Sequence, residues 1–290
     1  MARPFAIILC LVLAAAAHGA DKKKDPSQIG NRDVGKGLNL YSPERELALG
    51  RQLAQEVERQ ASMVDDPLVA EFVNRMGQNL VRNSDAKVPF TFRVVDDPAL
   101  NAFALPGGYV FVNSGLFSIA EDEDELAGAL AHEIAHVAAR HLTRELTKSR
   151  IASLATAPLG AVLGGWAGYA GRQGAALAIP MSLLSFGRKD EAEADYLGVQ
   201  YAYAAGYDPT GVISIFEKIE SLERKRPGAV SKAFSSHPQD ADRIARTQRE
   251  IQEILPPRDG YVVTTSEYRA IRQRLLDLAA ARENADQNSR

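Results

Sequence analysis

Two short segments must meet in space if this chain is to do chemistry, and that requirement constrains its fold more than any other feature. One is Ala131-His132-Glu133-Ile134-Ala135-His136, and the other, well downstream, is Glu191-Ala192-Glu193-Ala194-Asp195. On a helix, residues four apart lie about 40° apart in azimuth and one turn apart along the axis, so the imidazoles of His132 and His136 can reach one ion. Glu133, beside the first of them, is placed to take a proton from an attacking water. The pattern His-Glu-x-x-His arises by chance in roughly one chain of this size in a hundred, and alone it describes equally well a helix with two exposed histidines. Three features argue against that plain reading. Leu126, Leu130, Ile134 and Val137 give the helix an apolar face; three of the five histidines fall between positions 132 and 141; and carboxylates follow downstream.

The third donor has to come from another helix. A histidine six residues after His136 would extend the motif, but Leu142 stands there, with Ala139 where a glycine would be expected. His141 is nine residues from His132, about 180° round a continuous helix, so it is expected to play a structural part. Glu191 and Asp195 share a face and Glu193 points roughly the other way. Glu191 is the preferred ligand and Asp195 the residue that orients a ligand imidazole, with Glu193 the alternative ligand. Two histidines, one glutamate and an open position describe a catalytic zinc site, because structural zinc sites are closed. The expected cofactor is one Zn2+ per chain.

Around this pair the chain divides into a signal-like segment at 1–20, a flexible leader at 21–40, a metallopeptidase-like region at 41–258, and a C-terminal helix and tail at 259–290. Arg3 and the 13 residues from Phe5 to Ala17 read as a secretory signal too short to span a bilayer. Cys10 is the only cysteine, so a processed chain has no thiol for a disulfide, a ligand or a nucleophile. The formal net charge of -3 lacks the basic excess of a nucleic-acid binder.

Ser42-Pro43-Glu44 and Asp66-Pro67 open helices. Phe90, Phe92 and Val94 alternate as a strand, and Tyr109–Val112 form a second after the turn Leu105-Pro106-Gly107-Gly108. The acidic run Glu121–Glu125 reads as a solvated cap for a single helix reaching about Lys148. Further helices are expected over 189–205, 209–224, 238–255 and 268–281. Residues 151–171 carry no charge. Both metal-binding helices must lie on one side of any membrane, and two crossings do not fit the 37 residues from Ile151 to Gly187. A Gly/Ala-rich hairpin or lid is expected, with a membrane-surface segment as the lesser alternative. Pro238 is expected to start a helix with His237 at its N-terminal edge, suited either to an oxyanion or to plain capping. Gly107-Gly108 and the strand after them suggest an edge to which an extended peptide adds.

The segments ELAGALAHEIAHVAARH, NAFALPGGYVFVNSGL, DEAEAD with Gly198 beyond it, and SSHPQDADRI resemble, in the same order, those of metallopeptidase family 48, the gluzincin zinc endopeptidases. The resemblance covers about residues 42–255 and is nearest the small soluble periplasmic members. It implies an α+β, mainly α-helical domain with a small sheet beside the active-site helix. It implies Glu191 as the ligand, and His237 and Arg243 approaching the metal to help hold the substrate carbonyl or transition state. It also implies a substrate platform from Asn101 through Ala102, Phe103 and Ala104 to Gly107, Gly108 and Val112. It further implies protein or peptide substrates, contact with membrane or outer-membrane assembly machinery, and quality control of envelope proteins. A chaperone-like assembly factor with a dormant site is the rival reading.

Overall fold

The computed structural model describes residues 25–156, 186–225, 237 and 242–288. The signal-like segment and most of the apolar 151–187 stretch lie outside these residues.

Helix α1 (Pro43–Gln60) starts where Ser42 accepts a hydrogen bond from the Arg45 amide, and α2 (Pro67–Arg82) where Asp66 accepts from the amides of Leu68 and Val69. Each start thus satisfies amides that have no partner within the helix. Val69, Phe72, Val73, Met76 and Leu80 form the buried face of α2. Strands β1 (Thr91–Val95), β2 (Ala102–Leu105) and β3 (Tyr109–Asn113) follow. Their order is β1-β3-β2, with β1 parallel and β2 antiparallel to β3. The strand after the glycine pair is therefore central and paired on both sides. The open edge, expected at β3, belongs instead to β2, a four-residue strand that the alternation pattern does not reveal. Gly107 and Gly108 have φ of +75° and +88°, conformations that L side chains rarely adopt.

A short helix α3 (Leu116–Ile119) leads into the central helix α4 (Glu123–Ala138). Helix α4 is buried on almost every side, as expected for a helix enclosed by other elements. It packs on α2, β2, α6 (Arg188–Ala204) and α7 (Thr210–Lys225). Glycines permit the closest of these approaches. A Cβ on Gly198 of α6 would stand 3.1 Å from the His132 backbone, and one on Gly128 would stand 2.9 Å from Val212 Cα. Helices α8 (Arg243–Ile254) and α9 (Ser266–Asn288) complete the fold, and α9 places Tyr268, Ile271 and Leu275 in the same core.

Four expectations are corrected. The helix does not run on to Lys148: Arg140 takes φ +57° and α5 (His141–Thr156) begins anew. Arg140 is held there by two hydrogen bonds from Nε to Glu46, at 2.9 and 3.0 Å, and one from Nη2 to the Tyr41 carbonyl at 2.6 Å. The acidic run is not simply solvated, because Glu123, Asp124 and Glu125 are buried. Glu125 accepts from the amides of Glu121 and Asp122 and from Lys218, and Glu123 from Tyr207 and Thr265. Residues 25–40 are not a flexible leader. Arg32 is 3% exposed and donates to Asp85 and to Gln200 of α6, while the Tyr201 hydroxyl donates to the same Asp85. Finally, the described part of α8 begins at Arg243, and residues 238–241 lie outside the described set, so the placing of His237 at a helix N-terminus has no structural support. No described helix is long and apolar enough to cross a membrane.

Candidate metal centre

Gly198 brings α6 against α4 beside His132, and this close approach gathers four buried donors. The ligating atoms of His132, His136, Glu191 and His237 all lie within 4.8 Å of one another. His132 Nε2 is 3.0 Å from His136 Nε2 and 3.3 Å from His237 Nδ1. The Glu191 oxygens lie 3.5 Å from each of the first two nitrogens and 3.0 Å from His237 Nδ1. Donors bound at about 2.1 Å round a tetrahedral zinc sit about 3.4 Å apart, so the measured separations match the edges of that tetrahedron. Glu191 Oε2 is buried with no hydrogen-bond partner among the described residues. A buried acceptor without a donor is costly, and a cation at the centre of the cluster would satisfy it.

The surroundings fix the tautomer of His132. Its Nδ1 lies 3.1 Å from Asp195 Oδ1, which places the proton on Nδ1 and leaves the Nε2 lone pair facing the cluster. Asp195 is itself clamped by Arg243, which donates from Nη2 at 2.6 Å and from Nε at 2.7 Å. The Arg243 guanidinium lies 3.9 Å from the centre of the Phe216 ring, and its Nη1 has no hydrogen-bond partner among the described residues. Glu193 is turned away from the four donors and lies 3.3 Å from His141 Nε2. Glu191 rather than Glu193 therefore belongs to the cluster.

Glu133 and His237 face one another, with His237 Nε2 3.2 Å from Glu133 Oε1. Burial works against charge on His237, but the carboxylates of Glu133 and Glu191 outweigh it and lift the group to about 10. Burial also opposes ionisation of Glu191; the positive charge on His237 and hydrogen bonds from His132 and His237 nevertheless hold it well below the usual carboxylate range. Burial, reinforced by the charge on His132, pushes His136 well below the ordinary imidazole value and so favours its neutral, metal-binding form. Asp195 is likewise held low despite burial, by Arg243 and His132.

The expected platform divides. Ala102 lines a cavity with His132, Glu133, Phe216, His237 and Arg243, whereas Ala104 lines another with Gly107, His136 and Phe186. Strand β2 thus passes across both sides of the centre and turns small residues towards it. Phe103 and Leu105 face a second apolar cluster on the other side. Asn101 is buried with an unpartnered Oδ1. Gly108 is accounted for by packing, since a Cβ there would meet the Pro89 carbonyl oxygen at 2.1 Å.

Two neighbours escaped the sequence reading. Phe186 stacks on His136 with ring centres 4.1 Å apart, and His141 Nδ1 lies 3.0 Å from His136 Nδ1. The crowding of histidines between 132 and 141 was the available signal for His141, and the assumption of one unbroken helix concealed it.

The profile of the family described as Peptidase family M48 matches residues 67–251. A β-barrel assembly-enhancing protease of Yersinia pestis is 31% identical over 270 residues, covering 90% of this chain and 54% of that protein. The protein of the same name from Escherichia coli K12 is 30% identical over 221 residues, covering 73% and 45%. A mitochondrial metalloendopeptidase OMA1 of Schizosaccharomyces pombe is 34% identical over 186 residues, covering 64% and 52%. The chain spans about half the length of the curated relatives it matches.

Proposed function

Because the chain belongs to peptidase family M48, we propose that it is a zinc-dependent endopeptidase with one metal ion held by His132, His136 and Glu191. The observation that carries this reading is the convergence of their buried donor atoms at tetrahedral spacing beside Glu133. Zinc held there supplies a Lewis acid that polarises the scissile carbonyl and makes water acidic near neutral pH. Glu133 takes the proton of the attacking water and passes it to the leaving amine. Asp195, clamped by Arg243, keeps His132 in its ligating tautomer. The open edge of β2 holds an extended substrate by main-chain hydrogen bonds, with small side chains at Ala102 and Ala104 leaving room for it.

The substrates are unfolded or misassembled envelope proteins, and the protein works in the periplasm. The names of the two bacterial relatives and the signal-like residues 1–20 support this. The test is digestion of an unstructured protein such as casein by the zinc-loaded chain. Glu133→Gln should retain zinc and lose cleavage; cleavage equal to wild type would overturn the assignment of the base.

One observation favours a resting state that cuts little. His237 Nδ1 takes the fourth place among the donors, 3.0 Å from Glu191 Oε1 and 3.3 Å from His132 Nε2. With four protein donors the centre is closed, and closed tetrahedral zinc is not catalytic. In this state the protein acts as an assembly factor, and hydrolysis requires His237 to swing away. Once moved, His237 and Arg243 Nη1 are donors for the developing oxyanion. His237→Ala should then raise unregulated proteolysis if gating dominates and abolish it if donation dominates. Unchanged zinc affinity and unchanged proteolysis would exclude both roles.

A further inference from the structure

His132 and His136 are oriented by different chemistry, and the difference identifies a further residue. His132 has the carboxylate of Asp195 behind it, whereas His136 has another imidazole. His141 is fully buried, its Nδ1 is 3.0 Å from His136 Nδ1, and its Nε2 is 3.3 Å from Glu193 Oε2 and 3.8 Å from Asp190 Oδ1. We propose that His141 is a positioning residue that sets the tautomer and ring orientation of the metal ligand His136, with Glu193 setting the tautomer of His141 in turn. This rests on the assignment of His136 as a zinc ligand.

The logic is proton bookkeeping. Two ring nitrogens 3.0 Å apart share one proton, so one donates and the other accepts. If His141 Nδ1 donated, His136 would accept there and carry its own proton on Nε2, aimed at His132 and Glu191. That form has no lone pair to offer a metal. Glu193 decides between the two arrangements. A carboxylate only accepts, so it draws the single proton of a neutral His141 to Nε2. Nδ1 of His141 is then an acceptor, His136 must donate from its own Nδ1, and the lone pair of His136 Nε2 is turned into the cluster. Arg144 Nη1, 3.3 Å from the same Glu193 oxygen, and Lys148 Nζ, 3.7 Å from Asp190 Oδ2, neutralise the carboxylates and spare the imidazole that task. The two cations also argue against a second metal held by His141, Asp190 and Glu193, although the three donors are close enough for one. Phe186 fixes the plane of the His136 ring from its other side. The left-handed turn at Arg140 makes the arrangement feasible, by ending α4 and folding His141 back towards it.

The experiment measures zinc affinity by competition with a chromogenic chelator on the full chain. The urea stability of each metal-free protein is measured in parallel, with the visible spectrum of the cobalt-substituted form as a report on coordination. His141→Phe keeps an aromatic ring and removes the acceptor; it should weaken zinc about 10- to 100-fold, as loss of such partners does. His141→Asn restores an acceptor near Nδ1 and should recover most of that loss. A folded His141→Phe protein with wild-type affinity and an unaltered cobalt spectrum would overturn the proposal. If His141→Phe does not fold, Glu193→Leu, at a partly exposed position, carries the test, and unchanged affinity there is equally decisive against it. Two metals per wild-type chain, with one lost in Glu193→Leu, would replace the relay by a second cation site. A wild-type chain that binds no zinc refutes the metal-site reading itself, whereas wild-type binding with indifferent variants refutes only the relay.

Discussion

Asp124 offers a test of the packing around α4 that is independent of the metal. It lies in the first turn of the helix, 5% exposed, and its Oδ1 has no hydrogen-bond partner among the described residues. A Cβ on Gly211 would stand 2.8 Å from its carboxyl carbon, so α7 closes over it. Burial, followed by the nearby charges of Glu125, Asp208 and Asp122, lifts its pKa from the ordinary 3.8 to about 7. The folded protein therefore binds a proton that the unfolded chain releases above pH 4. The sign follows from linkage: where the folded state holds more protons, stability falls as pH rises. The contribution is fully present below pH 3.8 and is lost as pH climbs through 7. Between pH 5 and 8, these two values correspond to a loss of about 2.6 kcal/mol, and over the full range to about 4 kcal/mol. Asp124→Asn removes the titration but also changes hydrogen bonding, so the stability difference at any single pH decides nothing. Its change with pH does, because constant terms and the titration of other groups cancel between wild type and variant. Urea unfolding at pH 5 and pH 8 should show the variant gaining on the wild type by about that amount. Stability differences equal at the two pH values would refute the claim that this carboxyl is held protonated.

Glu191→Ala should lose zinc in metal analysis; retention of full zinc there with loss in Glu193→Ala would reverse the choice of ligand. Asp195→Asn should weaken zinc about 10- to 100-fold without abolishing binding, and an affinity equal to wild type would remove Asp195 from the site. Arg32→Met leaves the buried Asp85 without its cation and should cost about 3–5 kcal/mol in urea unfolding; a cost below about 1 kcal/mol would show that the Arg32–Asp85 pair is not the brace described.

The helices were legible wherever an end was written in local chemistry. Ser42-Pro43 and Asp66-Pro67 start helices because a side-chain oxygen and a proline satisfy or remove amides that lack partners. Gly206, at φ +93°, ends α6 for an equally local reason. The burial of Glu123, Asp124 and Glu125 was not legible, because acids in a first turn look the same whether water or a neighbouring helix covers them. What covers these comes from far along the chain, at Tyr207, Lys218 and Thr265. Residues 25–40 misled for the same reason. Their polar, glycine-rich composition is that of a mobile segment, yet one arginine finds a buried carboxylate and a glutamine more than fifty positions away.

At the site, the facing argument separated Glu191 and Asp195 from Glu193, and the geometry has that division. The same argument failed for His141, and the failure is instructive. Azimuth carried over nine residues assumes that every residue between is right-handed, and Arg140 is not. Arginine has no intrinsic preference for the left-handed region; what holds it there is Glu46 of α1, reached only in the folded chain. A contact from outside the helix therefore decides where the helix ends. That ending decides which residue stands behind His136, and through it which nitrogen of His136 carries the proton. A periodicity argument can place ligands that lie on one unbroken helix, but it cannot place the partners that hold those ligands in their binding form. Those partners come from across tertiary contacts, from Asp195 on α6 for His132 and from the start of α5 for His136.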